Sequence, residues 1–486
     1  EMSASLVGSE MCIRDSTMAD KKNDLEKKYD YAWKKYSEKD LAKVFELAER
    51  YKKFISDCKT ERECVTEFIE LAKQAGYLDI NEVISEGKKL KPGDKVYANN
   101  RGKNLALYVI GKEPFEKGLK ILGAHIDSPR MDLKQNPLYE DTDLALLETH
   151  YYGGIKKYQW VTIPLAIHGV IVKKSGEVID VVIGEDESDP VFGVSDLLIH
   201  LSQDQLKKSL ATGIEGEDLN ILVGSIPIDD KDVKSKVKYN ILKILNEKYN
   251  ISEEDFVSAE LEVVPAGNAR DYGFDKSMVM GYGQDDRICA YTSFDAMLDI
   301  KETDKTCVTI LVDKEEIGSV GATGMHSKFF ENATAEVMEC AGDYSDIKLK
   351  RALANSKMLS SDVSAAFDPN YPSVMEKKNT AYLGKGVVFN KYTGARGKSG
   401  CNDARAEYLA EIRTMMDKHN VSWQTSELGK VDQGGGGTIA YILAQYGMDV
   451  IDSGVALLNM HAPWEISSKA DIYETKNAYG AFLVEA

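Results

Sequence analysis

The chain is expected to fold as an α/β protein, a mixed sheet covered by helices on both faces, with a β-rich block inserted into it. Three observations lead there. From Val279 onward, short apolar runs at 306–312, 357–360, 386–389 and 448–451 alternate with helical stretches at 286–300, 401–419 and 436–446, the pattern of a sheet layered between helices. The preceding stretch, 134–268, is rich in strand-forming runs, among them 161–172 and 178–183. At 486 residues the chain also exceeds what one compact core ordinarily holds.

Taken in order, the first seventeen residues, EMSASLVGSEMCIRDST, lack the basic start and apolar run of a secretory signal. They read as a cloning or sequence-assembly leader, with Met18 as the natural start. Residues 18–133 open the α/β unit. Apolar residues recur at helical spacing across 37–76, which predicts two amphipathic helices, and 105–110 and 119–123 read as paired strands. Residues 134–268 form the insertion, with helical pieces expected at 195–208 and within the charged stretch 229–255. Residues 269–486 complete the α/β unit, since the ends of a surface loop lie close enough to carry an extra domain.

Composition narrows the function. Lys plus Arg is 61 against 79 Asp plus Glu, a net charge of −18, which repels phosphate backbones and anionic bilayers and argues against nucleic-acid or membrane partners. No apolar run approaches the length needed to cross a bilayer. The seven cysteines form no CxxC pair and are odd in number, so free thiols in a reducing compartment are expected. Both points favour a cytoplasmic location.

Six residues, each ending a short apolar run, supply what a pair of divalent metals requires: His125, Asp285, Glu315, Glu316, Asp362 and His461. His125 lies in ILGAHIDSPR. A lone histidine after a strand is more often a buried core residue, but Asp127, two residues on, can accept the proton of the second ring nitrogen and fix a ligating tautomer. In GYGQDDRICAY, Asp285 and Asp286 suit a helix N-cap as well as a metal; Asp285 is taken as the bridging carboxylate, supported by Asp286 with Arg287 nearby.

In TILVDKEEIGSVGATG a strongly apolar strand ends in two adjacent glutamates whose side chains diverge. Glu316 is then a ligand and Glu315 stays free as general base. Asp362, in KMLSSDVSAAFDPN, also succeeds a strand and suits a turn, while His461, in ALLNMHAPWE, sits in an apolar wall. Singly each has a plain structural explanation. Together they fit the rule that α/β sheets bind ligands beyond the carboxyl ends of their strands.

Two glycine-rich segments suggest something else. GARGKSG, at 394–400, looks like a phosphate loop, but the GxxxxGK[ST] spacing requires a glycine at position 392, where the chain has Tyr392. VDQGGGGT, at 431–438, lacks the lysine.

The ordered motifs GAHIDSPR, HYYGGIKKYQW, GYGQDDR, DKEEIGS, SSDVSAAFDPN, KYTGARGKSG, KVDQGGGGT and NMHAPWE resemble those of the aminopeptidase I and aspartyl aminopeptidase family of di-zinc metallopeptidases, from about Tyr31 to the C-terminal region. The resemblance implies a mixed-sheet α/β/α zinc-exopeptidase domain and two Zn2+ per subunit, with Co2+ or Mn2+ as alternatives. His125 and Asp362 would hold one ion, Glu316 and His461 the other, with Asp285 bridging and Glu315 as base. It also makes the inserted block a dimerisation domain, implies a homo-dodecamer built from dimers, and casts His200, in DLLIHL, as a histidine reaching into a neighbour's site.

The QDDR context resembles the bacterial branch rather than the mammalian-type aspartyl enzymes. Strict preference for Asp or Glu is not implied, although Lys391, Arg396 and Lys398 are candidates for binding an acidic side chain. The expected activity is removal of the N-terminal residue from peptides with a free N-terminus, through a metal-bridging water activated by Glu315. The rivals are another metal amidase, such as a carboxypeptidase or deacylase, and a non-catalytic assembly protein of the same fold.

Overall fold

The computed structural model describes residues 29–486. The leader 1–17, the expected start at Met18 and Cys12 lie outside the described residues. Two capped helices come first. Ser37 and Asp40 form a capping box for Glu38–Asp57, and Thr60 and Glu63 form another for Glu61–Gln74, so each start is fixed by side chains that satisfy orphan amides.

Nine strands build the main sheet, in the order Leu78–Asp79, Lys95–Asn100, Asn104–Val109, Cys307–Val312, Lys120–His125, Lys357–Ser361, Asp449–Gly454, Val387–Asn390 and Trp423–Thr425. The four strands from Cys307–Val312 to Asp449–Gly454 run parallel to one another. All six residues of Lys120–His125 and of Cys307–Val312 are buried, as a central strand covered on both faces demands. One face packs against the two N-terminal helices, Gln284–Leu298 and Lys469–Glu485. The other is covered by Phe329–Cys340, Asp346–Ala354 and Ala440–Ala444. The α/β expectation is met.

A separate six-stranded sheet, antiparallel throughout, runs from Arg130 to Pro265 around its own apolar core. Its first strand, Arg130–Asp141, begins only two residues after Ser128, earlier than the boundary read at 134. A third sheet of five strands, including Met278–Gly281, Ala456–Leu458 and Glu465–Ser468, was not anticipated.

Several local expectations are corrected. Asn104–Val109 and Lys120–His125 do not pair, because Cys307–Val312 lies between them, antiparallel to the first and parallel to the second. Its uniformly apolar sequence finds burial only inside the sheet. Residues 195–208 form two single 3-10 turns, at Ile199–Leu201 and Gln205–Lys207, because their leucines stay exposed and no packed face stabilises a helix. The helix expected within 229–255 is confined to Lys236–Tyr249. That at 436–446 shrinks to Ala440–Ala444, since the glycines before it disfavour helix.

The first helices are locked to the core by aromatic packing. Phe68 is fully buried, with its ring centroid 4.7 Å from Phe54 and 4.5 Å from Phe294, so it joins both N-terminal helices to Gln284–Leu298. Phe68→Ala is expected to destabilise the protein by about 3–5 kcal/mol, read as a lower urea midpoint; an unchanged midpoint would show that the contact is dispensable.

Candidate functional site

His125 ends the Lys120–His125 strand, Asp362 comes directly after the adjacent parallel strand Lys357–Ser361, and Glu315 and Glu316 lie just past Cys307–Val312 on the other side. Parallel neighbours bring their carboxyl ends side by side. His125 Nε2 thus stands 3.6 Å from Asp362 Oδ1. Lys314, with φ of 70°, turns the chain sharply into a 3-10 turn at Glu315–Ile317 and sets both glutamates at the sheet's edge.

Asp285 and His461 arrive differently. Asp285 lies in the first turn of Gln284–Leu298, and His461 in the loop between Ala456–Leu458 and Glu465–Ser468, so both hang from the small sheet rather than the large one. His461 Nε2 lies 2.9 Å from Asp285 Oδ2 and 3.4 Å from Glu316 Oε1. Donor atoms of His125, Asp285 and Asp362 lie within 4.8 Å of one another, as do those of Asp285, Glu316 and His461. Asp285 is common to both triads.

Around them, neighbouring groups fix orientation. Asp127 is fully buried, and its carboxylate accepts the backbone N–H of Glu315 at 3.0 Å, that of Glu316 at 3.2 Å and the Tyr152 hydroxyl at 2.8 Å. Its contact with His125 Nδ1 is looser, 3.6 Å from the carboxylate and 3.3 Å from the Asp127 carbonyl. The residue read as a partner for His125 is therefore chiefly the anchor of the glutamate turn. His461 Nδ1 lies 2.9 Å from the carbonyl of Gly154, which leaves Nε2 facing the carboxylates.

Tyr152, Gly153 and Gly154 belong to the inserted segment and were not singled out from sequence. Gly153 has φ of 73°, and a Cβ there would stand 3.1 Å from Glu316 Oε2, so only glycine lets this loop approach so closely. Glu465 was also missed. Its buried carboxylate accepts the amides of Asp285 at 3.2 Å and His461 at 2.9 Å, capping the helix that carries one and tethering the loop that carries the other. It sits four residues after His461 in the quoted motif, but a carboxylate that serves backbone amides carries no spacing signal.

His125, Asp285, Glu315, Glu316, Asp362 and His461 line a cavity of about 480 Å³, whose remaining walls include Val363, Asn390, Thr393, Ser426, Leu428 and Met460. Not every expected residue reaches it. Lys391 and Lys398 turn to Asp403, and Arg396 and Lys398 line a smaller cavity beside it. His200 is exposed on the turn Ile199–Leu201 and is not part of the cavity wall within its own chain.

Residues 54–483 match the family model described as aminopeptidase I zinc metalloprotease (M18). The chain belongs to that family. It is 73% identical to a probable M18 family aminopeptidase 1 of Clostridium acetobutylicum over 461 residues, covering 95% of this chain and 99% of that one. The crystal structure of aminopeptidase I from the same organism superposes with a TM-score of 0.89 at 72% identity, covering 94% of this chain and all of that one. An M18 aminopeptidase structure from Thermotoga maritima gives 0.90 at 44% identity, covering 95% and 100%. The mApe1 dodecamer of S. cerevisiae shares the fold at 21% identity, with a TM-score of 0.72 and coverage of 90% and 96%.

The family's zinc suits this donor set, which offers imidazole nitrogen and carboxylate oxygen in two groups. Electrostatics point the same way. Burial, together with repulsion from neighbouring carboxylates, pushes Glu315 up to about 8 and Asp286 up to about 7, and raises Glu316 and Glu465 far above the ordinary range. Among the described residues, neither oxygen of the buried Asp286 has a hydrogen-bond partner. His125 and His461 stay protonated well past their usual range: burial opposes their charge, but the surrounding carboxylates outweigh it and hold His461 at about 11. Protons stand where divalent cations would.

This fixes the sign of a pH effect. Between about pH 4, where such carboxyls ionise in an unfolded chain, and about pH 8, the folded state binds more protons, so stability falls as pH rises. The raised histidines act in the same direction, since their contribution is also lost with rising pH. The melting temperature of the metal-stripped protein should fall between about pH 6 and about pH 8, and restoring zinc should remove most of that fall. Calorimetry of both forms checks this; a pH-independent metal-free form would contradict it.

Proposed function

We propose that the chain is a two-metal aminopeptidase that hydrolyses the N-terminal residue of peptides. The observation that carries this reading is a pair of donor triads sharing Asp285 on the wall of a cavity that also receives Glu315. His125 and Asp362 would hold one zinc, Glu316 and His461 the other, with Asp285 between. When bound, such ions supply Lewis acidity for the scissile carbonyl and make water a stronger acid.

Glu315 takes the proton of the attacking water. It then returns that proton to the leaving amine. Asp127 keeps the glutamate turn in place through the amides of Glu315 and Glu316. The substrate's free α-amine meets a carboxylate of the cluster, and the cavity beside it takes the side chain of the first residue. That combination restricts cleavage to the first bond.

The same reading extends to assembly and location. Leu197, Leu198, Ile199, Leu201, Leu206 and Leu210 are exposed on the inserted segment, around His200, and support a subunit contact there. The inserted sheet would then build dimers and the dimers a dodecamer, the state named for the yeast structure, with His200 reaching a neighbour's site. No helix among the described residues is long and apolar enough to cross a membrane, and the cysteines described are free, which supports a cytoplasmic enzyme.

Glu315→Gln keeps size and hydrogen bonding while removing the base. The variant should remain folded and retain its zinc by elemental analysis while hydrolysis falls about a hundredfold or more. Retained activity would remove Glu315 from the mechanism. The walls also set specificity: no Lys or Arg among the described residues lines the cavity, so Leu and Met amides should be cleaved faster than Asp and Glu amides. A panel of aminoacyl amides with Zn, Co and Mn tests this, and faster cleavage of the acidic pair would reverse the assignment.

A further inference from the structure

A second cavity, of about 420 Å³, adjoins the first. Gly154, Met460 and His461 line both, so they form a shared wall. The two differ in character. Around the first, His125, Asp285, Asp362, Ser364 and Asn390 are buried while Gly318, Gly436 and Gly437 are exposed, whereas the second is lined by half-buried and exposed groups, including Lys156, Tyr158, Gln159, Asp368 and Tyr371.

A peptide that places its first residue against the metal ligands must send the rest of its chain out past the scissile bond. The cavity that holds the metal-ligand cluster suits the residue being removed, and the adjoining one, beyond their shared wall, suits the second residue of the peptide. Its two charged groups are not equivalent. Asp368 already accepts the backbone amide of Asn370 at 2.8 Å, while the Lys156 ammonium makes no salt bridge or hydrogen bond among the described residues. In a chain of net charge −18, a free cation at this position offers local attraction to an anionic group that the whole molecule repels.

We propose that the second cavity is the subsite for the residue beyond the scissile bond, and that Lys156 there pairs with a substrate carboxylate. The carboxylate is either the C-terminus of a dipeptide or the side chain of an acidic second residue. Tyr158 and Tyr371 supply apolar faces for the remainder of that residue. This rests on the aminopeptidase reading above.

The test compares the metal-loaded wild type with Lys156→Met, which keeps the aliphatic stem and removes the charge. Two matched pairs separate the carboxylate sources: Leu-Gly against Leu-Gly-amide, and Leu-Glu-amide against Leu-Gln-amide. In the wild type the carboxylate-bearing member of at least one pair should show a KM lower by roughly threefold to fivefold, the size of an exposed charge pair, and added salt should shrink the gap. Lys156→Met should level that pair while leaving kcat and the hydrolysis of leucinamide, which has no second residue, unchanged. Equal KM values within both wild-type pairs, or a difference that survives Lys156→Met, would overturn the subsite while leaving the aminopeptidase reading intact. Failure of the wild type to hydrolyse any of these substrates would overturn both.

Discussion

The structure depends on a repulsion it creates for itself. Asp285, Asp286, Glu315, Glu316, Asp362 and Glu465 crowd into one partly dry region, opposed by two imidazoles, and burial makes ionisation of Asp286, Glu315, Glu316, Asp362 and Glu465 more costly than it would be in water. Such a cluster holds only if its members are pinned. Asp127 does much of that work and stays below the usual carboxylate range despite its burial, because contact with His125 and the Tyr152 hydroxyl favour its charged form. An ionised anchor thus fixes neighbours that are themselves reluctant to ionise.

The pinning comes from three sheets at once. The large parallel core delivers His125, Asp362 and the glutamate turn by strand adjacency alone. The small sheet delivers Asp285 and His461, and Glu465 ties their backbones together. The inserted sheet contributes the Tyr152 hydroxyl and the Gly154 carbonyl. Its attachment is electrostatic as well as covalent: His168 lies between Glu63 and Glu185, and the nearly buried Lys59 also meets Glu185. A segment that looks like a separate appendage in the sequence is therefore part of the wall around the chemistry.

Much of this was legible in the sequence, for physical reasons. Central parallel strands are mostly apolar, so polar residues at or just past their carboxyl ends stand out, and His125, Glu316 and Asp362 were read that way. Asp285 and His461 gave the same local signal although they belong to another sheet. The order of strands was not legible, because Cys307–Val312 joins Lys120–His125 across an intervening 181 residues, and nothing local records that pairing. Glu465, Tyr152 and Gly154 were missed because they act on backbone groups or from another sheet. The leucine-rich stretch 195–208 was misread because helical spacing forms no helix without a face to pack against.

The order in which the ligands appear along the chain has its own consequence. His125 is made early, the whole inserted sheet comes next, and His461 stands only 25 residues before the end. On the proposed assignment, the early imidazole needs Asp285 and Asp362 from beyond the inserted sheet, and the second donor group is complete only once His461 has been made. A polypeptide clipped before His461 would therefore lack a donor of the second group, and the proposed metal pair would assemble only when segments on both sides of the inserted sheet have folded together.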